Sequence, residues 1–78
     1  MLAGWRAFMQ MRIESLGEAY GLTKKEIEVV RLLAMGKNNS SIANDMFIAE
    51  GTVKAHIQHV YQKTGVHSRK DLFELIGK

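Results

Sequence analysis

Seventy-eight residues with a formal net charge of +3 make one small domain with a modest core. The chain has no cysteine, which excludes disulfides and thiolate metal sites, and no proline, which suits uninterrupted helices. No apolar run is long enough to span a membrane and no secretion signal opens the chain, which together point to the cytoplasm.

In residues 1–20, Arg6 and Arg12 balance Glu14 and Glu18, so the positive excess falls entirely on residues 21–78. Leu2, Trp5, Phe8 and Met9 recur at helical spacing, and Ile13, Leu16 and Tyr20 continue the series. This predicts an amphipathic helix from about Trp5 to Ala19, weakened by Gly4 and Gly17. Three uses are open for it: a linker to an upstream sensor, a membrane-proximal helix with Arg6 and Arg12 at the interface, or a helix packed on the domain core.

Tyr20-Gly21-Leu22 breaks the pattern, and Thr23 caps the first helix of the domain proper. Thr23 and Glu26 have capping-box spacing, and Leu22 with Ile27 suits a hydrophobic staple. Ile27, Val30, Leu33 and Ala34 form its core stripe, with Val29 at the flank, and Gly36 ends it as a left-handed residue. Asn38 caps a second helix, Asn39 to Met46, whose Ile42, Ala43 and Met46 face inward. Phe47-Ile48-Ala49 makes a turn. A longer helix follows from Glu50 to about Lys63, with Val53, Ile57 and Val60 as its buried stripe. Gly65 stops it, and Val66 packs back on the core. Ser68 caps a last helix with Asp71 as box partner, and Leu72, Phe73, Leu75 and Ile76 give that helix more apolar surface than one small core needs.

A short helix, a turn and a longer polar-faced helix form a helix-turn-helix, whose second helix suits a DNA major groove. Lys54 and Gln58 lie one turn apart on one face, with Ala55 beside them. Lysine donates to guanine O6 and N7, glutamine pairs with adenine N6 and N7, and alanine touches a thymine methyl, so Lys54, Ala55 and Gln58 are the candidate base readers. Candidate phosphate ligands are Thr52 in the first turn, His59, Tyr61 and Lys63 later in the helix, Lys37, Asn39 and Ser40 at the start of the crossing helix, and Arg69. An ordinary solvated helix surface accounts for the same charges. His56 and His59, three apart without a nearby cysteine or carboxylate, make a poor zinc site, and His56 suits a helix–helix seam. No nucleophile elbow, phosphate-cradling loop, dinucleotide fingerprint or carboxylate pair is visible, so neither an enzyme nor a cofactor is expected.

Residues 22–76 resemble the LuxR/FixJ-type (GerE-like) helix-turn-helix domain of bacterial transcription regulators. The likeness rests on Leu22-Thr23 with Glu26, Gly36, Ile42-Ala43, the Glu50-Gly51-Thr52-Val53-Lys54 opening with His56, and Gly65-Val66 with Ser68-Arg69. It implies an all-α, four-helix domain over residues 21–78, preceded by a linker helix over 1–20. It implies operator binding with the third domain helix in the groove, and dimerisation through the fourth by Leu72, Phe73 and Ile76. It carries over the base-reading positions Lys54, Ala55 and Gln58, the backbone contact Thr52, and structural roles for Glu26, Val30 and Gly36. It also implies an upstream sensor domain, absent from these residues, and RNA polymerase as a further partner. Three positions depart from the family pattern: Ala49 replaces a capping serine or threonine, Ser40-Ser41 replaces a Lys-Glu pair, and Thr64 replaces leucine or methionine. The expected function is therefore DNA binding as the output domain of a regulator, as a dimer. A σ-factor region-four-like promoter-binding domain and a protein-interaction or dimerisation module without DNA binding are the alternatives.

Overall fold

The computed structural model describes the backbone of residues 2–77, and it is all-helical there. Helix α1 spans Leu2–Tyr20, α2 Lys24–Ala34, α3 Asn39–Met46, α4 Glu50–Thr64 and α5 Arg69–Gly77. None is long and apolar enough to cross a membrane. The roles expected of the Leu2 and Trp5 side chains lie outside the described residues.

The local signals act where the sequence puts them. The Thr23 hydroxyl accepts from the Glu26 amide at 3.1 Å, and a Glu26 carboxylate oxygen accepts from the Thr23 amide at 2.8 Å, which closes the capping box of α2. Asn38 Oδ1 accepts from the Ser41 amide at 2.8 Å and starts α3. The Ser68 hydroxyl accepts from the Asp71 amide at 3.1 Å and starts α5. Gly36 and Gly65 take left-handed backbone after α2 and α4, as their positions require.

Packing is less local. Helix α4 lies against α2 and α3, while α1 lies against α2 and α5. Helix α2 is thus covered on two sides, which explains why Val29, Val30, Leu32 and Leu33 are all buried while Ile27 and Ala34 stay at the margin. The remaining core comes from Ile13 and Leu16 of α1, Leu22, Ile42 and Ala43 of α3, Val53 and Val60 of α4, and Leu72 and Ile76 of α5. Ile57 packs on its edge.

Helix α1 packs on the domain core, where Ile13 and Leu16 are buried. Gly17 makes this approach possible. A Cβ there would stand 2.6 Å from Ile27 Cδ1, so a side chain would force Ile27 or the helix to shift. The Gly17 carbonyl also accepts from the Leu22 amide at 2.9 Å, which closes the α1–α2 turn. Arg12 then donates through Nε to the Ile76 carbonyl and ties α1 to the end of α5.

Candidate nucleic-acid interface

Helices α3 and α4 with the 47–49 turn form the helix-turn-helix. Phe47 takes a left-handed conformation (φ 57°) and stands 94 % exposed, while Ile48 beside it packs on the core. The residue at the cap position before α4 is Ala49, which makes no side-chain capping bond. The Ala49 carbonyl serves the first turn, accepting from the Thr52 and Val53 amides at 3.0 and 3.2 Å.

Burial orients α4. Val53 and Val60 point into the core, so at 3.6 residues per turn the opposite line of the helix runs through Gly51, Ala55, Gln58 and Gln62. All four are exposed. Lys54 is exposed beside this line on one side, and Thr52 and His59 on the other. The structure therefore brings Lys54, Ala55 and Gln58 onto one open surface. Gln62 belongs to the same line, and its spacing of four from Gln58 is the signal that identifies it.

The candidate phosphate ligands divide into two groups. Thr52, His59 and Ser40 are exposed, and Asn39 and Tyr61 are half-buried. Burial pushes the Tyr61 hydroxyl above its ordinary pKa, against the opposing charge of Arg69. The three remaining cations hold partners within the chain. Lys37 pairs with Asp45 at 2.6 Å, and Arg69 donates to the Lys37 carbonyl at 2.6 Å beyond the end of α2. Lys63 Nζ donates to Glu26 Oε1 at 2.7 Å and to the Gly21 carbonyl at 3.2 Å.

The partner of Lys63 is Glu26, a charged residue buried in the core at 3 % exposure. Burial opposes its ionisation. The Lys63 ammonium, the Thr23 amide and the Thr23 hydroxyl outweigh that penalty and hold the carboxyl below the ordinary carboxylate range. His59 Nδ1 stands 3.9 Å from the second Glu26 oxygen. Sequence reasoning found the capping role of Glu26 but not this cluster, because Lys63 lies 37 residues away and reads as a surface cation. The Thr64 hydroxyl donates to the Val60 carbonyl at 2.8 Å and so occupies itself within its own helix.

The candidate dimer residues also separate. Leu72 is fully buried and Ile76 is 2 % exposed, both in the chain's own core, and Ile76 lines the α1–α5 groove beside Leu16. Leu72 and Ile76, which the resemblance implies for a dimer contact, are taken up by the chain's own core and are withdrawn from the candidate dimer surface. Phe73 remains outside at 38 % exposure. His56 is half-buried, and among the described residues no group of three His, Cys, Asp or Glu is placed to hold a metal ion.

Comparison with known proteins bears on this geometry. The model of a family described as bacterial regulatory proteins, luxR family, matches residues 20–76. The chain is 40 % identical over 73 residues to the transcriptional regulatory protein LnrK of Bacillus subtilis, covering 88 % of this chain and 33 % of that protein. It is 48 % identical over 48 residues to a nitrate/nitrite response regulator protein homolog of Haemophilus influenzae, covering 62 % and 23 %. It is 40 % identical over 53 residues to the oxygen regulatory protein NreC of Staphylococcus aureus, covering 68 % and 24 %. The chain thus spans a third or less of the length of these relatives. No solved structure matches it.

Proposed function

Because the chain belongs to the luxR family of bacterial regulatory proteins, a family of DNA-binding transcription regulators, we propose that it is the output domain of a longer regulator and that α4 reads operator DNA in the major groove. The observation that carries this reading is the open face of α4, where Ala55 and Gln58 stand opposite the buried Val53 and Val60 with Lys54 beside them. Lys54 and Gln58 supply donors and acceptors suited to guanine and adenine edges, and Ala55 supplies a methyl for thymine. Thr52, His59, Asn39 and Ser40 grip the flanking phosphates. Lys63, Lys37 and Arg69 serve mainly to hold the helices in place, since each has a partner within the chain. Two copies bind together, with Phe73 on the outer side of α5 as the apolar contact between them. The mechanism is binding throughout and involves no covalent step.

A gel-shift titration of the wild type and of the double variant Lys54→Ala/Gln58→Ala tests this reading, on a selected operator duplex and on a scrambled one. The expected outcome is loss of roughly a hundredfold on the operator with little change on the scrambled duplex, since each favourable base contact discriminates by about 1–3 kcal/mol. Equal loss on both duplexes sinks the assignment of these residues as base readers.

A further inference from the structure

We propose that Gly51 sets how deeply α4 seats in the groove and is thereby a specificity-determining position, an inference that rests on the groove-reading role of α4 above. Gly51 stands in the first turn of α4, exposed, on the line that continues through Ala55 and Gln58. Neither backbone conformation nor packing requires a glycine at this position. The glycines that require left-handed backbone are Gly21, Gly36 and Gly65, and Gly51 is not among them. Nor is a neighbour in the way, because a Cβ on Gly51 meets nothing within 4 Å. Gly17 is the opposite case, where a Cβ collides with Ile27. The space that Gly51 keeps clear lies outside the molecule, on the face that carries the base readers.

The neighbours on that line define what the clearance is for. Ala55 is the next outward residue, so the first two turns present only a hydrogen and a methyl along their front. Gln58 follows one turn later. A glutamine side chain has only two methylenes before its amide, so pairing with both adenine N6 and N7 requires the helix backbone to come close to the base edges. Lys54, with its four-carbon stem, tolerates a shallower seat. A methyl at Gly51 lifts the front of the helix and penalises the short reader first. Non-specific binding depends on phosphate charge and is far less sensitive to that displacement.

The test compares the wild type, Gly51→Ala and Gly4→Ala. Gly4 is an equally open, exposed glycine in α1, remote from the reading face, and it controls for helix stabilisation alone. Selection from randomised duplexes with the wild type defines the motif. Fluorescence anisotropy at fixed salt then gives affinity for the motif and for a scrambled duplex, and circular dichroism gives the Tm. Gly51→Ala is expected to keep or raise the Tm by roughly 2–5 °C, because alanine is the better helix former. It is expected to lose about tenfold or more on the motif and to stay within about twofold on the scrambled duplex, the size of one base contact. Gly4→Ala is expected to match the wild type on both duplexes. Gly51→Ala binding the motif within about twofold of the wild type overturns the inference while the groove-reading role stands. A wild type that enriches no motif overturns that role, and this inference with it.

Discussion

At its N-terminal end α4 follows an alanine without a side-chain cap and holds Gly51, Lys54 and Ala55 in the open. Fourteen residues on, the same helix is tied down: Lys63 bonds Glu26 and the Gly21 carbonyl, Thr64 bonds Val60, and Tyr61 is half-buried. The open end keeps polar groups, a methyl and a bare backbone available to a partner. The tied end converts a surface cation into an anchor that joins α4 to the start of α2 and to the α1–α2 turn. The proposed reading role of α4 needs both, since a base contact discriminates only if the helix that carries it is held in one orientation. Charge alone does not separate the two ends in the sequence, because Lys63 and Lys54 look alike there while Lys63 is bonded within the chain and Lys54 stands in the open.

The largest way to break the contrast is at Glu26. Glu26→Gln removes the charge that Lys63 and Thr23 share, and urea unfolding followed by circular dichroism should show a loss of about 1–3 kcal/mol. The variant should also change the pH dependence. The Glu26 carboxyl is held down in the folded chain, so near and below the ordinary carboxylate value of about 4.3 the unfolded state binds more protons. Its stabilisation is present above that value and is lost as pH falls through the folded pKa. The acid limb of the wild-type stability curve should therefore flatten in Glu26→Gln. It should not vanish, because Arg31 also holds the Glu28 carboxyl below its ordinary value. An unchanged acid limb refutes the role given to Glu26.

Lys63→Met sharpens the comparison from the other side. It leaves the buried Glu26 carboxylate without its cation and should cost stability on the same scale, about 1–3 kcal/mol, while leaving the salt dependence of DNA binding unchanged. Were Lys63 a phosphate ligand, the slope of log K against log salt would fall by about 0.9. Ala49→Ser acts at the open end and should have the smallest effect. Ala49 already has the extended backbone of a cap residue (φ −74°, ψ 151°), so a serine hydroxyl there should add about 0.5–1 kcal/mol to the thermal stability. No gain in Tm would show that the first turn of α4 is already satisfied without it.

The helices and their ends were legible in the sequence because the signals that set them act over three or four residues. Thr23 with Glu26, Asn38 with Ser41, Ser68 with Asp71, and the left-handed Gly36 and Gly65 each close a bond or a turn with near neighbours. The period of Val53 and Val60 likewise determined which face of α4 looks outward, and so placed Lys54, Ala55 and Gln58 together. Tertiary structure alone decided what the rest of the polar and apolar residues do. Lys63 meets Glu26 across 37 residues, Arg69 meets Lys37 across 32, and Arg12 meets Ile76 across 64. Leu72 and Ile76 look like surface for another chain until the core they enter, with α1 packed against α5, takes them up. Helical periodicity identifies which residues must be covered, since apolar surface is driven from water whatever covers it, and only the packing of whole helices selects the cover.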